Sequence, residues 1–90
     1  MSAIKTKAER ISEGLTVYVD PMAGYVYLKV VTAENGPLRI VVSNQTGNEL
    51  MEHTIPVNQL TSIPLNTLTP GFYNVKVFLS NSFLSEVFRF

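Results

Sequence analysis

The chain has 90 residues, 46% of them hydrophobic and 16% charged, with seven basic and seven acidic side chains and a formal net charge of zero. This is one domain's worth of chain with a modest core. It is too rich in Val, Ile, Leu, Tyr and Phe for disorder, and it lacks the basic field that nucleic-acid binding requires. The absence of cysteine excludes disulfides, thiolate metal sites and a cysteine nucleophile, and the balanced charge leaves self-association open.

Residues 1–13 combine Lys5, Lys7, Glu9, Arg10 and Glu13 with Ile4, Ala8 and Ile11 at helical spacing. They read as a flexible N-terminal arm or a short fraying helix ending at Gly14. They are not a signal peptide, which needs an apolar central stretch. The chain is therefore expected to be either cytoplasmic or part of a longer, processed protein. No apolar run approaches the roughly 18–20 residues that a membrane-spanning helix needs.

From residue 14 to residue 90 the period is two. Leu15, Val17 and Val19 alternate with polar and aromatic neighbours until Asp20-Pro21-Met22-Ala23-Gly24 breaks the strand. Tyr25 to Val31 is the second strand, with Val26, Leu28 and Val30 on one face. Asn35-Gly36-Pro37 is a turn, and Leu38, Ile40 and Val42 form the inner face of a third strand. A polar loop ending in Gly47 leads to a fourth strand, Glu49 to Ile55. Its face is ambiguous, because Leu50 heads one alternating set and Met51 with Ile55 the other. Ile63 and Leu65 mark a short fifth strand, and Pro64 between them predicts an edge position or a bulge. Tyr73, Val75, Val77 and Leu79 face one way in the sixth strand. Leu84, Phe88 and Phe90 are the expected core face of the seventh. Seven short strands with turn chemistry between them predict an all-β fold, an immunoglobulin-like (fibronectin III-like) Greek-key sandwich.

Catalytic groups are scarce. A Ser-His-Asp set could draw only on His53 and Asp20, and nothing brings a serine to them. One His and one Asp also disfavour zinc and calcium sites, and the dispersed glycines form no phosphate loop. No cofactor is expected, and the chain reads as a non-enzyme. Glu49 and Glu52 are close in sequence, but an odd spacing on a regular strand places them on opposite faces. Asn44-Gln45-Thr46 matches a glycosylation acceptor, yet its place in a hairpin loop is explained by turn-forming asparagine. Tyr18, Tyr25, Tyr27, Phe72 and Phe78 fall on outward faces. They form either an exposed aromatic surface for a ligand or cross-strand pairs on a half-covered sheet.

Three segments carry a family resemblance. They are Leu15 to Val30 with Val19-Asp20-Pro21, then Leu38 to Gly47, then Ile63 to Val77 with Leu68-Thr69-Pro70-Gly71-Phe72-Tyr73. Together they resemble the C-terminal sorting domain of cargo of the Bacteroidetes type IX secretion system. That family has a Pro-Asn-Pro start, an Ile-rich strand closing on a polar Gly turn, and a Leu-x-x-Gly-x-Tyr strand. The Val19-Asp20-Pro21 segment departs from it, as does the Phe88-Arg89-Phe90 end, where the family has a lysine-containing tail. The end is similar to that of small secreted immunoglobulin-like proteins of Bacteroidetes. Either resemblance implies a non-enzymatic module of a secreted, periplasmic or outer-membrane-surface protein. It would recognise a protein partner, either secretion machinery or the parent protein's other domains. The alternatives are a stand-alone adhesion or ligand-binding domain and an intracellular or phage structural module. In sandwiches with such a strand the tyrosine hydroxyl bonds back to upstream backbone, a corner role expected here for Tyr73, with Gly71 allowing the turn.

Overall fold

The computed structural model describes residues 13–65 and 68–90. All but the last residue of the expected N-terminal arm lies outside them. The chain order is β1 Gly14–Asp20, β2 Tyr25–Val31, β3 Leu38–Asn44, β4 Glu49–Ile55, β5 Thr61–Pro64, β6 Phe72–Phe78 and β7 Phe83–Arg89. These form two antiparallel sheets, one with strand order β1-β2-β5 and the other β4-β3-β6-β7. β3, β5 and β6 each begin after a crossing between the sheets, whereas β1–β2, β3–β4 and β6–β7 are hairpins. The fold is an immunoglobulin-like all-β sandwich with the strand order of fibronectin type III domains.

The alternation in the sequence places the core. Val26, Leu28 and Val30 of β2 face Leu38, Ile40 and Val42 of β3 and Val75 and Val77 of β6, and Ile55, Ile63, Leu65, Leu79 and Phe88 complete the layer. Leu28, Val30, Ile40, Val75 and Val77 have no solvent exposure, which at about 25 cal/mol per Å² makes them the main apolar contribution to folding. β5 is an edge strand, and its Pro64 sits where no further ladder bond is needed.

The register resolves the ambiguous face of β4. Ile55 pairs with Leu38, His53 with Ile40 and Met51 with Val42, so the Met51 and Ile55 set faces the core. The register then shifts between Val42 and Ser43, and Glu49 pairs with Ser43. Leu50 is the extra residue of a β-bulge and is left 42% exposed. The bulge overturns the expectation for the two glutamates. Glu52 pairs with Val41 and Glu49 with Ser43, residues of one parity on β3. Both carboxylates therefore lie on the outer face of the four-stranded sheet.

Side chains cross-brace the end of the sandwich where β2 finishes. Asn58 adopts a left-handed conformation (φ 58°) in the loop between β4 and β5, which asparagine tolerates better than most residues. Its Oδ1 accepts from Thr32 N at 3.1 Å, its Nδ2 donates to Thr32 O at 3.0 Å, and its own N donates to Val30 O at 2.7 Å. Asn58 thus stands in for one residue of a missing strand beside β2. Thr32, 1% exposed, also donates its hydroxyl to Glu13 Oε2 at 3.0 Å. At the same end the Glu34 carboxylate accepts from Ser80 N and Ser80 Oγ and ties two loops together. Asn58→Ala removes both side-chain bonds and leaves the buried Thr32 N–H without a partner. It is expected to cost about 1–3 kcal/mol, read as a lower urea midpoint with an unchanged m-value. Asn58→Gly, which suits the left-handed backbone, should lose less than Asn58→Ala.

Candidate functional site

Tyr73 opens the β6 inner face and is 7% exposed. Its hydroxyl donates to the backbone oxygen of Thr69, four residues upstream, and lies 3.4 Å from Thr69 Oγ1. Its ring stacks on Phe88 at 5.7 Å and on Phe90 at 5.5 Å between centroids. Gly71 is close to extended (φ 159°) and exchanges both backbone bonds with Phe90, at 3.0 and 3.2 Å. The chain bends at Pro70 and Gly71, and Gly71 is also the first rung beside β6 and β7.

The five outward aromatics divide between two surfaces. Tyr18 and Tyr27 are cross-strand partners on the three-stranded sheet, with ring centroids 6.0 Å apart, and Tyr25 lies 6.3 Å from Tyr27. Tyr18 and Tyr27 border a shallow depression with Asp20 and Leu60. Tyr18 is 63% exposed, whereas Tyr27 is half-buried. Phe72 and Phe78 lie on the outer face of the other sheet, at opposite ends of β6. Cations cover them there. Arg39 Cζ is 4.7 Å from the Phe78 centroid and Arg89 Cζ is 5.6 Å from that of Phe72. Phe83, which the sequence reading did not single out, has Lys76 Nζ at 4.5 Å. Each contact contributes about 0.5–1 kcal/mol at exposed sites. Sequence parity marks these residues as outward but does not say on which sheet.

The groups that could do chemistry are dispersed. His53 is on β4 of one sheet and Asp20 ends β1 of the other. Among the described residues, no three His, Asp or Glu side chains gather as metal ligands, and no helix is long and apolar enough to cross a membrane. Glu52 pairs with Arg39, both side chains about half exposed, which makes this a weak surface ion pair. Asn44 organises its own loop. Its Oδ1 accepts from Thr46 N, Thr46 Oγ1 and Asn48 N at 3.1, 2.8 and 3.0 Å, while Gly47 takes φ 91°. The Asn-x-Thr triplet is thus built into a turn. An open groove of about 420 Å³ runs between this loop and the Tyr73 corner, lined by Gln45, Leu50, Leu68, Pro70 and Phe72 among others.

The described residues thus form a seven-stranded sandwich with its ionisable and aromatic side chains spread over open surfaces. The family is given by the sequence match: the model for the secretion system C-terminal sorting domain covers residues 16–87. The chain belongs to that family. No curated protein matches it.

We propose that Tyr73 pins the corner that positions β6 and β7, with Gly71 as the rung that joins it to Phe90. Tyr73→Phe keeps the ring stack and loses only the hydroxyl bond, so a loss of about 0.5–1.5 kcal/mol is expected on chemical denaturation. Unchanged stability would show that the hydroxyl contributes nothing to the corner.

Proposed function

We propose that this chain is a non-catalytic sorting module that directs a protein joined to it through a type IX secretion system, to the cell surface or beyond. Its mechanism is protein recognition, with the folded sandwich as the recognised unit. The observation that carries the reading is the family match over residues 16–87, which spans all seven strands from early β1 to late β7. The motif-bearing residues fit a folded signal. Leu68, Gly71 and Tyr73 are used in the corner and in packing against the core, so they act by shaping the module.

The physical setting supports recognition over catalysis. The grooves are open, and the two hydroxyl–carboxylate contacts among the described residues, Ser80 with Glu34 and Thr32 with Glu13, tie loops together with no histidine beside them. The tyrosine cluster on the three-stranded sheet favours a second reading, a ligand-binding face, because Tyr18 and Tyr25 expose large rings that no described cation covers.

Fusion of residues 14–90 to a fluorescent passenger in a type IX-competent host is expected to place the passenger in the medium or on the surface. Val75→Asp buries a charge in the core and should unfold the module and retain the passenger in the cell. Export of an unfolded Val75→Asp fusion would show that a linear segment is read. Retention of the wild-type fusion would remove the sorting reading. Loss of export in a folded Tyr18→Ala, Tyr27→Ala double variant would place recognition on the tyrosine face.

A further inference from the structure

The sandwich has four strand edges, and they are not equivalent. β5 has four residues and ends in Pro64, which offers no N–H. β1 and β7 lie against one another where the two sheets meet. β4 has seven residues, contains no proline and, among the described residues, is paired on one side only, with β3. Alternate residues along it turn their N–H and C=O groups away from the sheet. The bulge at Leu50 confines the regular part to residues 51–55.

Both ends of this edge open into clefts. The groove of about 420 Å³ includes Leu50, Leu68 and Phe72. A second, of about 390 Å³, is bordered by Pro37, Thr54, Ile55 and Val57. Because of the bulge, Leu50 and Thr54 span about three and a half β3 residues, roughly 12 Å at about 3.3 Å per residue, close to the separation of side chains four positions apart on one face of an added strand. On the outer face Glu52 lies between the clefts and Glu49 beside Leu50, opposite Val41 and Ser43, two β3 residues apart. Both are exposed, and Arg39 engages Oε2 of Glu52.

This charge arrangement discriminates between occupants. A second copy of β4 laid alongside would crowd two pairs of glutamates onto one seam, and like charges across neighbouring strands are destabilising. A strand carrying a cation finds the complementary field.

We propose that the β4 edge accepts an added strand from a protein partner: an extended segment with Lys or Arg at its centre and an apolar side chain two residues to either side. The identity of the partner as a component of the secretion machinery rests on the sorting reading; the binding chemistry does not. Backbone ladder bonds supply affinity. The central cation against Glu49 and Glu52, and the apolar side chains in the two clefts, supply selectivity.

The test is an NMR titration of the ¹⁵N-labelled chain with a blocked synthetic peptide, Thr-Leu-Thr-Lys-Thr-Leu-Thr, and with its Glu-centred counterpart. Shift changes and slowed amide exchange are expected in β4 and the two clefts. The Glu-centred peptide should bind about threefold or more weakly, in line with cross-strand charge pairs. Glu49→Lys, which leaves the Arg39–Glu52 pair in place, should abolish or invert that preference. A peptide N-methylated on its pairing side should lose binding. Shifts centred on the tyrosine face, absence of binding at millimolar peptide, or a preference unchanged by Glu49→Lys would each overturn the proposal. Wild-type passenger export combined with a failed titration would remove strand addition and leave sorting intact. The reverse pair of results would remove sorting and leave the edge chemistry.

Discussion

Burial of one face of each sheet against the other sets the register of every strand in this molecule. A slip of one residue would turn a whole alternating set toward water. The β3–β6 pairing shows this most directly. Ile40 opposes Val77 and Val42 opposes Val75, and all four are almost wholly buried. β2 then supplies the opposing layer through Val26, Leu28 and Val30. Strand order, corner and loop bracing follow from keeping these two layers in contact in a chain that is neutral overall and has no disulfide.

With the inner faces committed, the outer faces are free to differ. The four-stranded sheet covers its phenylalanines with Arg39, Lys76 and Arg89. Even outward-facing Val41 is only 4% exposed; its cross-strand neighbours are Lys76 and Glu52. The three-stranded sheet leaves its tyrosines to pair with one another. The two surfaces therefore offer different chemistry to a partner: one a mosaic of cations, rings and carboxylates, the other an aromatic patch beside a single aspartate.

Most of the fold was legible in the sequence, because turn chemistry and period-two burial agree. β2 and β4 begin and end where Gly24, Gly47 and Pro56 dictate, and the edge position of β5 follows from Pro64. The places where the reading stopped short have distinct physical causes. A bulge is a backbone event with no residue-type marker at Leu50, so strict alternation put Glu49 and Glu52 on opposite faces when they share one. Asn58 lies in an irregular loop where no period exists, and its bonds to Thr32 reach back 26 positions. The outward aromatics were identified as outward, but alternation within a strand carries no information about which sheet the strand joins. The Tyr73 hydroxyl bond is local, spanning four residues, so it is a contact that sequence spacing can carry.

The pairing of Gly71 with Phe90 makes Phe90 a component of the corner. Its backbone closes the last rung of the ladder, and its ring lies on Tyr73, which also stacks on Phe88. The first and last turns of the β6–β7 hairpin region are thereby latched at a single point. Without the Phe90 ring, one of the two rings stacked on Tyr73 is gone and the Tyr73 ring is more open to water.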